Sequence, residues 1–186
     1  MARSTWKKRL VDQSDLMDLQ ELLHSKNKKI VFTAGSWDLL HVGQCRYLEE
    51  AKAKGDILVV GVSSNSAIKK VKGPNKPILD EVIRAEMLTY LRSVDFVTIL
   101  PEASCTPSLG LLKPDVFITV KEDWAANYQQ SKEYKTVTRY GGEVIVVDRQ
   151  STALSTTKIV QRAIGGELGS IFKDFMELRK DPLKER

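Results

Sequence analysis

Five short apolar segments alternate with amphipathic segments along most of the chain. The apolar segments are rich in Val, Ile, Leu and Phe and predict strands, namely residues 29–33, 56–62, 95–100, 115–120 and 143–147. Helical spacing between them predicts helices over residues 42–54, 80–91 and 128–140, and Thr106-Pro107 begins a shorter one. The predicted inner faces are Val42, Cys45, Leu48 and Ala51 in the first helix and Val82, Ile83, Ala85, Met87, Leu88 and Leu91 in the second. Short links between strands and helices require parallel crossovers, so we predict an α/β fold, a doubly wound, Rossmann-like five-stranded parallel sheet in the order 3-2-1-4-5.

Further helices flank this core at both ends of the chain. Ser14 is expected to cap a helix that ends near residue 25, after an arm that is expected to be mobile. Two C-terminal helices are predicted, over residues 156–163 and 168–179, with Gly165-Gly166 between them. The predicted divisions are an N-terminal arm and helix (1–28), the α/β domain (29–164) and a C-terminal helix and tail (165–186).

The turn after the first strand carries the chemistry-bearing residues. Gly35 permits a sharp reversal, and Asp38, His41 and Gly43 bring polar groups and bare backbone to the start of a helix. Unpaired N–H groups at a helix start attract anions, so this turn predicts a phosphate site. In the predicted strand order it lies beside the topological switch point.

Composition narrows the possible partners. The hydrophobic share is 42%, ordinary for a globular domain, and the net charge is +5. Basic residues are interspersed with acidic ones, so nucleic acid is not the expected partner, and a phosphorylated small molecule explains the excess charge. No apolar run is long enough for a signal peptide or a membrane span, which predicts a cytoplasmic protein. Cys45 and Cys105 are expected to be free thiols.

Several of the residues singled out have both an ordinary and a functional interpretation. The sequence contains neither GxGxxG nor GxxxxGK[ST], so a phosphate site at His41 is the alternative to the common nucleotide motifs. Taken alone, Ser155-Thr156-Thr157 is typical of a helix N-cap. Arg84, with Glu81 and Glu86 nearby, is typical of a surface ion pair. Trp37 is expected to pack in the core and not to stack on a base.

The segment GSWDLLHVGQCRYLEEAK at residues 35–52 resembles the HxGH motif of the cytidylyltransferase-like nucleotidyltransferase superfamily. LSTTKIV at residues 154–160 resembles a second motif of that family, and together they span most of the chain. The KGPNKPI loop at residues 72–78, the helix with Arg84 and VDFV at residues 94–97 further resemble the adenylyltransferase of ADP-heptose synthesis.

This resemblance implies transfer of a nucleoside monophosphate, AMP from ATP, to a sugar phosphate such as heptose 1-phosphate, with Mg²⁺ and in a homodimer. The implied catalytic residues are His41, Lys72 and Gln44. Contacts to ATP (or CTP) are implied for Thr33, Ala34, Gly35, Asp38, Gly43, Lys121, Ser155, Thr156 and Thr157. Arg84 and Asp38 are implied to bind the acceptor, and no protein ligand to the metal is predicted.

Departures from the family pattern leave alternatives open. Gln44 replaces the second histidine of HxGH, and an amide can donate a hydrogen bond but cannot become cationic. The chain is therefore also considered as a catalytically impaired nucleotide-binding or regulatory protein. A cytidylyltransferase acting on glycerol 3-phosphate is a further alternative, although its usual Arg-Thr-Glu-Gly is absent from residues 149–154. A nucleic-acid-binding module would predict steeply salt-dependent binding.

Overall fold

In a computed structural model, the structure describes residues 5–121, 127–148, 150 and 155–178. The strands are β1 (Ile30–Gly35), β2 (Ile57–Ser63), β3 (Phe96–Leu100), β4 (Val116–Val120) and β5 (Glu143–Val147). The helices are α1 (Leu16–Ser25), α2 (Val42–Lys52), α3 (Asn65–Lys72), α4 (Glu81–Thr89), α5 (Thr106–Leu112), α6 (Lys132–Arg139) and α7 (Thr156–Leu178). By their contacts these residues form two units, one up to residue 151 and one from residue 152.

All five strands are parallel and lie in the order β3-β2-β1-β4-β5, as predicted. Side chains alternate between the two faces of the sheet, as the period of a strand requires. Val31 packs with α2 and α4 on one face, whereas Ile30 and Phe32 pack with α1, α5 and α6 on the other. Both faces are therefore covered by helices, which explains why the strands are apolar throughout.

The inner faces of two helices differ from the apolar patterns read in the sequence. Val42, predicted on the inner face of α2, is exposed, and Tyr47, Leu48 and Ala51 bury that helix instead. In α4, the predicted core residues Val82 and Ile83 are exposed, and Arg84 takes an inner position beside Ala85 and Leu88. In both helices the predicted apolar residues beyond the first turn are buried or partly buried, whereas those in the first turn face solvent.

The N-terminal arm is not free over its described part. Leu10 forms a parallel bridge with Val97, and the Val97 N–H donates to the Arg9 carbonyl at 2.8 Å. The Arg9 guanidinium in turn donates to the carbonyls of Thr89 at 2.7 Å and Val94 at 3.2 Å. The arm thus pairs with the open edge of β3, where unpaired backbone groups would otherwise face water. The expectation of a mobile arm is wrong for these residues.

The C-terminal region is one helix and not two. Described as a unit of its own, α7 runs unbroken through Gly165 and Gly166 to Leu178. Glycine lowers helix propensity by about 1 kcal/mol per residue but does not forbid the helical conformation, so the two glycines were an insufficient reason to end a helix. Within the described residues, no helix is long and apolar enough to cross a membrane.

Candidate active site

The predicted phosphate site lies at the carboxyl end of β1. This strand pairs with β2 along its whole length and with β4 on its other side through Val31 and Phe32. The helix that follows β1, α2, packs on one face of the sheet, and the helix that follows β4, α6, packs on the other. Ligands of doubly wound folds bind in the crevice at such a switch point.

Close packing shapes the turn between β1 and α2. Trp37 has a φ of 51° and is only 7% exposed, and its Nε1 donates to the Gly61 carbonyl at 2.9 Å. A Cβ atom on Gly35 would lie 3.1 Å from the Trp37 ring, so a side chain at position 35 would crowd the indole. The predicted packing role of Trp37 is confirmed, and it accounts for the glycine at position 35.

Thr33 is part of a buried hydrogen-bonded chain behind this turn. Its hydroxyl lies 2.7 Å from the Tyr47 hydroxyl, which donates to the Ile118 carbonyl at 2.9 Å. Because the Tyr47 proton is directed to Ile118, Thr33 is the donor in the first contact. The Thr33 side chain thus ties β1 to α2 and, through it, to β4.

His41 occupies the N-cap position of α2, and Gln44 occupies the third position of the helix. The His41 backbone N–H donates to the Gln44 side-chain oxygen at 3.0 Å, which is one half of a capping box. A backbone N–H can only donate, so the accepting atom of Gln44 must be its oxygen. The amide nitrogen of Gln44 is therefore a pure donor at this helix start. Gly43, between the two residues, is buried.

Lys72 reaches the same turn from a distant part of the chain. It is the last residue of α3, and its Nζ donates to the Ser36 hydroxyl at 3.1 Å. Lys121 is exposed and immediately follows β4, the strand beside β1. The fold therefore brings the Lys72 ammonium to the turn that also carries Asp38 and His41.

Two predicted site residues are more deeply buried than an exposed contact would require. Asp38 is 4% exposed, and Arg84 is 1% exposed. The interpretation of Arg84 as a surface ion-pair residue is wrong, because the polar partners of its guanidinium include two backbone carbonyls and Asn65. Sequence reasoning had not identified Ser36 or Asn65 as members of this cluster, and contacts to backbone atoms leave no pattern in a sequence.

Ser155 begins the helix of the second unit. Its hydroxyl accepts a hydrogen bond from the Lys158 N–H at 3.2 Å, and its carbonyl accepts one from the Ile159 N–H at 2.9 Å. The N-cap interpretation is confirmed for Ser155, and Thr156 begins α7. Residues 122–126, 149 and 151–154 lie outside the described residues, and they include most of the segment 149–154 in which the Arg-Thr-Glu-Gly pattern is absent.

Among the described residues, no group of three or more His, Cys, Asp or Glu side chains is placed to hold a metal ion. Cys45 and Cys105 are free thiols, as predicted. Burial and the charge of Glu133 raise the pKa of Cys105 to about 12. Burial and the charge of Glu49 also raise the pKa of Cys45, which is partly exposed.

A parallel sheet in this order, with a glycine turn and the start of a helix at its switch point, defines an α/β domain of the Rossmann-like class. The family model described as Cytidylyltransferase-like matches residues 32–162. The chain therefore belongs to the cytidylyltransferase-like family of nucleotidyltransferases.

Curated relatives include the "Bifunctional protein HldE" of Syntrophotalea carbinolica, 34% identical over 152 residues that cover 82% of this chain and 30% of the relative. That of Geobacter metallireducens is 38% identical over 155 residues, which cover 82% of this chain and 31% of the relative. The chain thus spans about a third of the length of these relatives.

Solved structures show the same fold. A lipopolysaccharide core biosynthesis protein from Thermoplasma volcanium is 28% identical, with a TM-score of 0.55 over 66% of this chain and 96% of the other. A pantoate-beta-alanine ligase from Francisella tularensis is 18% identical, with a TM-score of 0.51 over 81% of this chain and 74% of that one. The second likeness is one of fold alone.

Proposed function

We propose that this protein transfers AMP from ATP to a sugar phosphate of the heptose 1-phosphate type and releases pyrophosphate. The observation that supports this most is the His41-capped helix start at the carboxyl end of β1, in a chain of the cytidylyltransferase-like family. The similar protein from Thermoplasma volcanium is a lipopolysaccharide core biosynthesis protein, which agrees with a sugar-phosphate acceptor.

The reaction makes modest demands on the protein. An oxygen of the acceptor phosphate attacks the α-phosphorus of ATP, and the bond from that phosphorus to the bridging oxygen of pyrophosphate breaks. The attacking phosphate is already ionised at neutral pH, so catalysis needs in-line positioning and neutralisation of charge more than a strong base. His41 would donate to the α-phosphate, the Gln44 amide nitrogen would supply a neutral donor beside it, and Lys72 would supply positive charge.

The remaining predicted residues would bind the nucleotide. Thr33, Ala34 and Gly35 lie at the end of β1, where backbone groups can contact the nucleotide, and the bare backbone of Gly43 would let a phosphate approach the start of α2. The β- and γ-phosphates would be bound by the Ser155–Thr157 helix start, through hydroxyls and backbone N–H groups. Lys121 would add a second ammonium to the same polyanion.

Mg²⁺ fits this proposal as an ion held by the substrate. Because Mg²⁺ keeps several waters and binds substrate phosphates, it does not need a dedicated protein cage. Both Asp38 carboxylate oxygens accept backbone N–H groups, which leaves that residue a poor primary ligand. When bound, the ion would screen the triphosphate charge.

The test is pyrophosphate release from ATP and from CTP, each with a panel of sugar 1-phosphates and with glycerol 3-phosphate. We expect turnover with ATP and a heptose 1-phosphate. Turnover with CTP and glycerol 3-phosphate instead would establish the cytidylyltransferase alternative. Tight nucleotide binding with no turnover for any pair would contradict the proposal and favour a regulatory protein disabled at Gln44.

Two further features belong to the proposal. We expect the protein to be cytoplasmic, because a reaction that consumes ATP needs a supply of it. The family resemblance also favours a homodimer, and light scattering coupled to size-exclusion chromatography would measure its mass. A mass near 20.9 kDa at micromolar concentration would identify a monomer instead.

A further inference from the structure

Arg84 joins three segments that are distant in the sequence. Its Nε donates to the Leu79 carbonyl at 2.9 Å, and its Nη2 donates to the Asn65 side-chain oxygen at 2.9 Å. Its Nη1 donates to the Ser36 carbonyl. The guanidinium thus connects the turn after β1, the first residue of α3 and the residues just before α4. Each nitrogen has a protein acceptor, as burial of an arginine requires.

Asp38 binds one of these segments, the residues just before α4, through their backbone N–H groups. Its Oδ2 accepts the Ile78 N–H at 2.9 Å, and its Oδ1 accepts the Leu79 N–H at 3.0 Å. Both polar backbone groups of Leu79 are therefore held, the N–H by Asp38 and the carbonyl by Arg84. Burial lowers the pKa of Arg84, and the negative charge of Asp38 opposes that shift.

Lys72 lies on the chain between these two points of attachment. Asn65 begins α3, Lys72 ends it, and a loop of residues 73–79, which ends with Ile78 and Leu79, leads to α4. The start of α3 is also fixed by the Asp80 carboxylate, which accepts from Asn65 Nδ2 at 2.7 Å. Both ends of the segment from residue 65 to residue 79 are thus held at the β1–α2 turn, and the Lys72 ammonium between them donates to Ser36 of that turn.

We propose that Arg84 is a positioning residue. It acts with Asp38 to hold the loop of residues 73–79, and this keeps the Lys72 ammonium against the β1–α2 turn. The inference rests on the proposed function for the ligand that Lys72 meets. It assigns Arg84 an indirect role in place of direct contact with the acceptor phosphate. Three of the five N–H groups of the guanidinium make these hydrogen bonds, and Arg84 is only 1% exposed, so the remaining two are not open to a ligand. Moving the guanidinium outward to meet a phosphate would break its hydrogen bonds to Ser36, Leu79 and Asn65 and leave buried acceptors without donors.

The first experiment needs no substrate. Hydrogen–deuterium exchange of the peptide containing Ile78 and Leu79 would be compared in the wild type, Arg84→Met, Arg84→Lys and Asp38→Asn. We expect exchange to accelerate by about tenfold or more in Arg84→Met and by less in the two conservative variants, because local opening becomes easier. Arg92→Met is the matched control, since Arg92 is an exposed arginine paired with Glu49 at 2.8 Å.

The second experiment separates positioning from direct binding. In a double-mutant cycle, Arg84→Lys would lower kcat by about 10-fold in the wild-type background, and by less than about twofold when Lys72→Met is already present. The KM for the acceptor would stay within about twofold. A large rise in that KM, multiplying with the effect of Lys72→Met, would show that Arg84 binds the acceptor directly and would overturn the inference.

The two experiments also distinguish this inference from the proposed function. If the wild type releases no pyrophosphate with any pair of substrates, the proposed function fails. The exchange measurement then still decides whether Arg84 and Asp38 hold the loop. Unchanged exchange at Ile78 and Leu79 in a folded Arg84→Met protein, verified by circular dichroism, would overturn the positioning role whatever the activity.

Discussion

The two helix starts proposed to share the triphosphate are built differently. The start of α2 follows the central strand directly, and Tyr47, Leu48 and Ala51 bury the helix against the sheet. Ser155 begins a helix in a separate unit, and the apolar side chains of Ile164, Leu168 and Phe172 on that helix are exposed.

The difference indicates how each start would meet a phosphate. Donors fixed by a packed core need little reorganisation when charge develops on a ligand, and this is the main requirement for electrostatic catalysis. The α7 start belongs to a separate unit, so ordering it on a bound triphosphate would cost part of the binding energy. We therefore expect the α2 start to determine kcat and the α7 start to determine nucleotide affinity.

The largest expected effect is that of removing the His41 imidazole. His41→Asn keeps an N-cap side chain, but its amide is too short to reach the position of the imidazole Nε2, so the donor to the developing charge is lost. We expect kcat to fall by about 10²- to 10³-fold, since such a donor is worth about 3–4 kcal/mol. His24→Asn is the matched control, because His24 lies 3.4 Å from Asp115, which is at the amino end of β1 and β4 and so at the opposite end of the strands from His41. Equal losses in the two variants, measured by pyrophosphate release, would remove the special role of the α2 start.

Gln44 has two proposed roles at the α2 start, since its oxygen caps the helix and its amide nitrogen is a donor, and two substitutions separate them. Gln44→Leu should lose both the cap and the donor, with about 1 kcal/mol less unfolding free energy and a lower kcat. Gln44→Glu keeps an oxygen for the His41 N–H but has no donor, so its stability should be nearer the wild type while its kcat falls.

Gln44→His tests whether the amide limits the rate. A histidine can carry positive charge at this position, and we expect kcat to rise by up to about tenfold, a gain of about 1.4 kcal/mol. The measurement is pyrophosphate release across pH 6–9, where an imidazole that titrates near pH 6.5 should add a pH-dependent component that the amide lacks. A slower Gln44→His enzyme would indicate that the amide is the better donor in this site.

Substitution of Ser155 should act mainly on affinity. Ser155→Ala removes the cap that accepts the Lys158 N–H and should cost about 1 kcal/mol of helix stability. The KM for ATP should rise severalfold with little change in kcat. Ser131→Ala removes the comparable cap of α6 and should leave the KM for ATP unchanged. A fall in kcat without a change in KM would reverse the roles assigned to the two helix starts.

The two cysteines provide the smallest and simplest measurement. Cys45 follows Gln44 in α2 and is partly exposed, whereas Cys105 is buried with its pKa raised to about 12. Only Cys45 should react with iodoacetamide at pH 8, slowly because its pKa is also raised, and ATP should slow the reaction further. Mass spectrometry identifies the site, and faster labelling of Cys105 would contradict the assignment.

Cys105 also predicts the sign of one pH effect on stability. Its pKa in the folded chain lies above the ordinary value of 9.0, so the folded state holds the proton more tightly. Its contribution to unfolding free energy is present below pH 9 and is lost as the pH rises toward 12. The difference in unfolding free energy between the wild type and Cys105→Ala, measured by urea titration, should become smaller as the pH rises through that range.

The strand order was predictable from the sequence because alternation of apolar strands with helices leaves few topologies for a parallel sheet. The phase of α2 and α4 was not predictable, because the first helical turn can place an apolar residue such as Val42 or Val82 toward solvent. Arg84 was misjudged as a surface residue for a related reason. Its partners Ser36 and Leu79 accept through backbone carbonyls, which any residue type supplies.

Part of the candidate site was predictable because several of its residues are close together in the sequence. Gly35, Asp38 and His41 follow one strand within a few residues, so one local pattern places them together. Lys72 lies far along the chain from that turn, and only the return of the 73–79 loop brings its ammonium to Ser36. The second helix start stays a prediction, which a nucleotide complex would test.

The most direct test of the two-helix account is a crystal structure with Mg²⁺ and a non-hydrolysable ATP analogue. The account predicts His41 within hydrogen-bonding distance of the α-phosphate, and the Ser155–Thr157 helix start on the β- and γ-phosphates. A triphosphate bound away from the α2 start, or one held there with no contact to residues 155–157, would contradict it.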